Sequence, residues 1–226
     1  MQFQSSFEGY THLRMIALVV LSLCVSACGI QNPVIDTLMY SLPGGRQYAE
    51  LRPGIEYLVV ELDGRASVMA LGSRRVDGLA PFEDVTEYWY NGQGEMLALK
   101  NGRIHQAMGM AQEWRSNESK PPRWREAMPN VLQTWVRRLD RMPGYRYAGQ
   151  DEITTGLIDS PQKRPDGVPA DVRWVGDVVR SQTREAKPWQ FTQKFALLDD
   201  RVVYSEQCIS EAICLKLRPL GRVEKQ

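Results

Sequence analysis

Histidine is scarce in this chain: His12 and His105 are the only two among 226 residues. A metal site with several His ligands is therefore excluded, and nucleophile chemistry assisted by His would depend on His105 alone. The sequence also lacks a Gly-x-Ser-x-Gly nucleophile motif, a phosphate-binding Gly-x-x-x-x-Gly-Lys loop and a dinucleotide fingerprint. We expect no metal and no cofactor, and the composition weighs against catalysis.

A surplus of charge of either sign is also missing. The chain carries 28 Lys and Arg against 27 Asp and Glu, a formal net charge of +1. Nucleic-acid-binding proteins usually carry a basic surplus or a basic stripe, so we expect no nucleic-acid partner. A charged fraction of 24% with six Trp and nine Tyr indicates a folded chain rather than a disordered one.

The chain lacks an apolar run that is long enough to span a bilayer as a helix. The most apolar segment, residues 15–27, has the length of the apolar region of a secretory signal. Its ending, Ser26-Ala27-Cys28, resembles the lipobox of bacterial lipoproteins, in which the Cys thiol receives a lipid and the signal is cut before it. We predict a cleaved signal peptide over residues 1–27 and lipidation of Cys28. The alternative is a buried N-terminal helix with an incidental Cys.

The lipobox resemblance also predicts a location. Two or more acyl chains on Cys28 would give stable attachment to a membrane. In lipoproteins of enteric-type bacteria, Asp after the lipidated Cys favours retention at the inner membrane, whereas this chain has Gly29. The resemblance therefore implies an outer-membrane lipoprotein that faces the periplasm, with residues 28–226 as a single mature domain.

Cysteine is scarce as well, with four in the chain. Cys24 would be removed with the signal, and Cys28 would carry lipid. Cys208 and Cys214 remain as an even pair. In an oxidising periplasm such a pair is typical of a disulfide that closes a short loop. The alternative is a metal site, but no His or further Cys lies nearby to complete four ligands.

The mature chain has the pattern of antiparallel β-structure. Segments typical of strands are residues 55–62, 66–71, 86–90, 95–100, 103–108, 190–198, 201–207 and 213–218. Dipeptides such as Asp63-Gly64 and Asn101-Gly102 between them indicate tight hairpins. There is no βαβ rhythm and no fixed-period repeat. We predict an all-β single domain, an antiparallel β-meander that closes into a barrel or a sandwich with minor short helices.

Four segments have a less definite pattern. Residues 130–139 have a helical apolar face but could also alternate as a strand, and residues 35–42 could form a short helix. Residues 115–129 and 159–170 are Pro-rich and charged. We predict that both are loops rather than domain linkers.

The stretch 89–110 carries an aromatic residue, a turn and a strand, followed by a Gly-Arg-hydrophobic sequence and a later Gly-hydrophobic pair. This pattern resembles the YjbF/GfcB family, lipoproteins encoded with capsule and exopolysaccharide genes. The matching residues are Gly102, Arg103, Ile104, Gly109 and Met110, with Trp135, Arg138 and Asp140 in a middle segment and Val203, Ser205 and Gln207 in a later strand. The loop 115–129 and the pair Cys208 and Cys214 depart from the pattern.

The resemblance implies an all-β fold and an outer-membrane lipoprotein, and it favours a strand over a helix around Trp135. It establishes no enzymatic activity. Possible partners that it implies are a polysaccharide and the proteins that export capsule or exopolysaccharide.

Aromatic and basic side chains are the candidate polysaccharide contacts. Tyr88 and Tyr90 would share one face of a strand. Trp114 and Trp124 flank the basic loop, where exposed rings could stack on sugars beside Arg and Lys. Arg103 follows a tight Gly turn, from which its guanidinium could pair with an acidic sugar. The alternatives are that the rings fill the core and that Arg103 forms an ion pair.

The remaining polar candidates favour structural roles. His105 would share a strand face with Arg103 and Ala107, and we predict a half-exposed structural His. A glycosidase needs two carboxylates held across a cleft. Adjacent acids, such as those at 151–152 and 199–200, do not fit that arrangement, so we predict turn and surface roles for them.

Three function classes remain open. The first is a non-enzymatic lipoprotein of capsule or exopolysaccharide production that binds polysaccharide or a secretion partner. The second is a periplasmic enzyme that modifies polysaccharide, and the third is a general envelope-structure lipoprotein. The scarcity of His and the lack of nucleophile motifs favour the first class over the second.

Overall fold

Twelve antiparallel strands contain most of the residues that the structure describes. The computed structural model describes residues 51–79, 83–117, 120–143, 146–182 and 189–222, all within the folded unit Arg46–Gln226. The strands are β1 (Glu56–Leu62), β2 (Arg65–Asp77), β3 (Asp84–Tyr90), β4 (Met96–Lys100), β5 (Arg103–Met108), β6 (Glu113–Asn117), β7 (Gln133–Met142), β8 (Arg146–Leu157), β9 (Arg173–Gln182), β10 (Trp189–Leu198), β11 (Arg201–Cys208) and β12 (Cys214–Arg222). Helix within these ranges is limited to a 3-10 turn at Trp124–Glu126. The predicted all-β class is confirmed.

The strand order is that of an up-and-down closed barrel. Each strand pairs with the next one in the chain, and β12 pairs back onto β1. The closing ladder aligns Glu56 with Arg222 and Leu62 with Leu215. The predicted meander is therefore confirmed, and the barrel is the form of closure that the chain adopts. None of the described residues forms a helix long and apolar enough to span a membrane.

Short turns with positive φ connect several strands as the sequence predicts. Asp63 and Gly64 have φ values of 50° and 76°, and Asn101 and Gly102 have values of 49° and 80°. Two consecutive positive φ values belong to the tight hairpin turn that matches the right-handed twist of the strands. The turn between β10 and β11 is formed in the same way by Asp199 and Asp200.

The structure decides three of the less definite segments. Of the two alternatives for residues 130–139, the strand that the resemblance favours is the one observed, since β7 occupies Gln133–Met142. The loop predicted over residues 115–129 begins as strand, since β6 runs to Asn117. The predicted loop at 159–170 is confirmed. The signal peptide, Cys28 and the predicted helix at 35–42 lie outside the described residues.

Buried apolar side chains fill much of the barrel. The largest cluster joins β1–β7 with β12 and the β11–β12 turn and contains Leu58, Val60, Met69, Trp89, Leu97, Leu99, Ile104, Ala107, Trp114, Leu139, Ile209, Leu215 and Leu217. A second cluster is built on Val175 and Phe195, to which the connection between β6 and β7 adds Trp124. Successive side chains of a barrel strand point in turn to the interior and to the outer surface, so each strand contributes to both.

Candidate functional site

Arg103 is buried, with 6% of the residue exposed. Its Nε and Nη2 donate to the two carboxylate oxygens of Asp177 on β9, at 2.8 and 3.3 Å. Its Nη1 donates to the Pro122 carbonyl at 3.2 Å, and the guanidinium carbon lies 3.5 Å from the centroid of the Trp124 ring. The carboxylate of Asp177 also accepts from the Thr155 hydroxyl at 2.6 Å. The ion-pair alternative for Arg103 is the one observed, and the protein itself occupies these donors.

Trp114 and Trp124 are core residues. They are 2% and 6% exposed, so the prediction that their rings are exposed beside the basic loop is wrong. Trp124 Nε1 donates to the Asn101 carbonyl at 2.7 Å, and its ring lies 4.7 Å from that of Phe195 between centroids. The physical reason is that a large ring gains more from burial against apolar neighbours than from contact with water, and both rings pack in the core clusters.

The Gly-Arg motif at residues 102–103 has a structural explanation. Gly102 has a φ of 80°, and a Cβ there would lie 2.5 Å from Val202. The Gln207 side chain donates to the Gly102 carbonyl and accepts from the Ile104 amide, both at 2.8 Å. Because Gln207 belongs to β11, these bonds join β5 to the opposite wall of the barrel. Gly109 has a φ of 73°, and a Cβ there would lie 2.5 Å from the Gly94 carbonyl oxygen in the β3–β4 turn.

Tyr88 and Tyr90 are the predicted contacts that reach the surface. They alternate on β3 with Trp89, which is 2% exposed in the core, and this places both tyrosines on the outer face. Tyr90 is 47% exposed and Tyr88 is half-buried. The predicted sharing of one strand face is confirmed.

A glycine in β2 positions the Tyr90 ring. The pairing of β2 with β3 aligns Ala70 with Tyr90 and shifts between Leu71 and Ser73, so that Gly72 is the extra residue of a β-bulge. A Cβ on Gly72 would lie 2.6 Å from two carbons of the Tyr90 ring. The ring therefore lies against the backbone of β2, and only Gly leaves room for it there.

The pairing registers continue the surface from Tyr88 across three further strands. Tyr88 is aligned with Ala98, Ala98 with Gln106, and Gln106 with Arg115. At the usual strand spacing, Arg115 stands about 14 Å from Tyr88 along the sheet. We call Tyr88, Tyr90, Gln106 and Arg115 the outer tyrosine face. It combines aromatic rings, an amide and a guanidinium, the groups that stack on sugar rings and bind their hydroxyl and carboxylate oxygens.

His105 borders this face at a second bulge. The pairing of β4 with β5 aligns Ala98 with Gln106 and Leu99 with Ile104, which leaves His105 as the extra residue. The expected face shared with Arg103 and Ala107 is therefore wrong, because the bulge breaks the alternation of β5. Burial lowers the pKa of His105 below its ordinary value, and the nearby cations Lys100, Arg115 and Arg75 lower it further. His105 is partly buried, and the charges that lower its pKa are all positive.

The turn and surface roles predicted for the two pairs of adjacent acids are wrong for Asp151 and confirmed for Asp199 and Asp200. Asp151 is fully buried on β8, where its Oδ2 accepts from the Nη2 of Arg137 at 2.6 Å, while Glu152 is only partly buried. Asp199 and Asp200 occupy the β10–β11 turn with positive φ. Neither pair holds its two carboxylates across a cleft.

Cys208 and Cys214 form the predicted disulfide. They are aligned as the first pair of the β11–β12 ladder, and their sulfur atoms are 2.06 Å apart. Within the described ranges no group of three or more His, Cys, Asp or Glu side chains is arranged to hold a metal ion.

The residues that sequence reasoning missed are Gly72, Gln106 and Arg115. A Gly inside a strand pattern is a signal for a bulge, so Gly72 could have been noticed. Gln106 and Arg115 join the outer tyrosine face only through the registers of β4, β5 and β6, for which the sequence gives no local signal.

One structural comparison gives a clear likeness. The crystal structure of the hypothetical lipoprotein YmcC from Escherichia coli (K12) is similar with a TM-score of 0.59 at 17% sequence identity, covering 85% of this chain and 99% of that one. At this identity the likeness shows a shared fold. No protein-family profile matches the chain, and no curated protein matches it in sequence.

Proposed function

We propose that this chain is a non-enzymatic, lipid-anchored protein of the bacterial envelope that takes part in capsule or exopolysaccharide production or export by binding polysaccharide. The lipobox ending at Cys28 and the resemblance of residues 89–110 to capsule-associated lipoproteins support the setting. The shared fold with a protein titled a lipoprotein agrees with it. The alternative ligand in this proposal is a protein partner of the secretion machinery.

The observation that carries the proposal is the outer tyrosine face. A tyrosine that is 47% exposed is held flat against the Gly72 bulge, and a second tyrosine lies two residues away on the same face. Holding the ring in place before binding reduces the entropy lost on contact with a flexible polymer. Arg115 is exposed at the far end of the same surface, where it can meet a carboxylate.

Binding to the surface polysaccharide of the native host tests this proposal. Isothermal titration should show that Tyr90→Ala weakens binding about tenfold, the usual effect of an aromatic anchor. Gly72→Ala should weaken binding similarly while the ring is retained, because the new methyl group displaces it. Tyr147→Ala is the matched control, since Tyr147 is 65% exposed on β8 and lies outside the face.

The outcomes are distinguishable. Unchanged binding in both Tyr90→Ala and Gly72→Ala would place the site elsewhere, and no binding by the unaltered chain would contradict direct recognition of polysaccharide. Shortening of the polymer during incubation would favour the enzymatic alternative.

The proposed anchor is tested separately at Cys28. We expect Cys28→Ala to abolish labelling with palmitate in cells and to release the protein from the outer-membrane fraction. Labelling that persists in this variant would contradict lipidation at Cys28.

A further inference from the structure

The connection between β8 and β9 folds back over the outer surface of the barrel. Its Val168 is 7% exposed and packs with Trp174, Ala196 and Tyr204 on the outer faces of β9, β10 and β11. Gly167 lies against the Arg218 side chain, since a Cβ there would be 3.0 Å from its Nη1. These contacts hold residues 163–166 beside the barrel wall.

A cavity of about 440 Å³ lies between this connection and β1, β11 and β12. One side is formed by residues 163–166, and the floor includes Tyr204, Glu206, Lys216 and Arg218. We call it the loop groove. Its volume lies within the range of small-molecule sites, about 300–1,000 Å³.

The floor of the loop groove crosses a row of alternating charges. Lys194, Glu206, Lys216 and Glu61 are aligned in successive pairs across β10, β11, β12 and β1. Lys194 Nζ lies 3.0 Å from Glu206, and Lys216 Nζ lies 2.7 Å from Glu61. Both carboxylates of the floor are therefore neutralised by a lysine.

The loop side of the groove adds positive charge. Lys163 and Arg164 are exposed and line the groove, and no carboxylate of the described residues lies within ion-pair distance of either. The remaining lining charges are Arg218 and Asp166. With the floor pairs balanced, Lys163 and Arg164 face the single carboxylate of Asp166 across the groove, and this excess of positive charge favours an anion.

Tyr204 adds a neutral hydroxyl group to the same groove. Burial raises the pKa of its hydroxyl, and the neighbouring Glu206 carboxylate, which accepts its hydrogen bond at 3.0 Å, raises it further. The hydroxyl therefore keeps its proton at physiological pH, and the ring lies along the groove beside the charged row.

We propose that the loop groove binds a sugar-sized ligand that carries an oxyanion, either a carboxylate or a phosphate. Lys163 and Arg164 bind the oxyanion, and the row containing Glu206 and Glu61 presents acceptors to ligand hydroxyl groups. This site is separate from the outer tyrosine face and does not depend on it.

Chemical-shift perturbation in the full mature domain tests the proposal with four probes: glucuronate, glucose 1-phosphate, glucose and inorganic phosphate. We expect glucuronate or glucose 1-phosphate to shift the amide signals of residues 163–166 and of Lys216. Neutral glucose should leave them unchanged. Which acidic sugar binds more tightly identifies the oxyanion.

Variants assign the effect to the loop cations. Lys163→Gln with Arg164→Gln should weaken binding at least tenfold, because charge-assisted hydrogen bonds are lost. Lys120→Gln with Arg201→Gln is the matched control, since these exposed cations do not line the groove. Both loop cations are exposed, so the double variant should retain its fold, which circular dichroism checks.

Three results would overturn the proposal. The first is that neither acidic sugar shifts any signal. The second is that inorganic phosphate and glucose 1-phosphate bind equally well, which would show that the sugar ring is not recognised. The third is that the loop variant and the control variant lose the same amount of binding. Because the affected signals belong to residues 163–166 rather than to β3, these results are separable from failure of the outer tyrosine face.

Discussion

At the scale of single residues, burial decides which candidate side chains can act on a ligand. The residue types of Arg103, Trp124 and Tyr90 are equally suited to sugar contact, yet the first two are buried in one ion-pair and stacking cluster. Tyr90 reaches the surface because its neighbour Trp89 takes the core position. Alternation along β3 predicted that division, whereas the burial of Arg103 depends on Asp177 of a distant strand.

Removing one partner of the buried Arg103–Asp177 pair should lower stability strongly, because the other charge stays buried and unpaired. Asp177→Ala leaves a buried guanidinium without its carboxylate, and we expect a loss of about 3–5 kcal/mol in the free energy of unfolding. Urea denaturation measures this. The exposed pair of Arg75 and Asp77 is the control, since Arg75→Ala should change stability by less than about 0.5 kcal/mol.

The double variant Arg103→Met with Asp177→Leu separates charge from packing. It should recover much of the loss, because a buried pair replaced by apolar groups leaves no uncompensated charge. If Asp177→Ala alone costs no more than the Arg75→Ala control, the pair is not the buried interaction described above.

His105 should make stability depend on pH in a defined window. Its pKa in the folded chain is below the ordinary value of 6.5, mainly because of burial. Between that lowered pKa and 6.5 the unfolded chain binds more protons, so the free energy of unfolding falls as pH decreases. Chemical denaturation from pH 7.5 to 5 should show this fall, and His105→Gln should flatten it. An unchanged slope in the variant would contradict the assignment.

At the scale of elements, local turn chemistry predicted the hairpins, and tertiary pairing decided the rest. Asp63-Gly64 and Asn101-Gly102 form the tight turns that their dipeptides predict. Residues 130–139 carry a helical apolar pattern, but β7 forms because β6 and β8 pair with both of its edges. Of the two bulges at the outer tyrosine face, Gly72 is a local signal in the strand pattern of β2, whereas the bulge at His105 follows from a register that no short segment encodes.

The Cys208–Cys214 disulfide should stabilise the β11–β12 connection. It closes a loop with a sequence separation of 6, for which the chain-entropy estimate is about 2 kcal/mol. We expect Cys208→Ser with Cys214→Ser to lower the free energy of unfolding by about that amount. Reduced unaltered protein should behave like the double variant. Intact-mass measurement after periplasmic expression would reject the disulfide if it showed two free thiols.

At the scale of the whole molecule, the sequence predicted the class and left the form of closure open. Eight predicted segments coincide with strands, but β6, β8 and β9 were not foreseen, and neither was the β1–β12 pairing that distinguishes a barrel from a sandwich. That pairing joins the two ends of the described chain and therefore has the largest sequence separation of any ladder. Local pattern carries no information on such a contact.

Circular permutation tests this closure. Because Glu56 and Arg222 are aligned partners, a short Gly/Ser linker can join the two ends of the barrel, and new termini can be placed in the exposed turn at Asp63-Gly64. β1 then follows β12 as the partner it already has. We expect the permutant to keep the β-sheet circular dichroism spectrum and cooperative unfolding.

A permutant that cuts inside β4, between Ala98 and Leu99, is the control and should fail to fold, because it divides a buried strand. If the permutant opened at Asp63-Gly64 unfolds as readily as this control, β1 and β12 are not neighbours and the barrel is open.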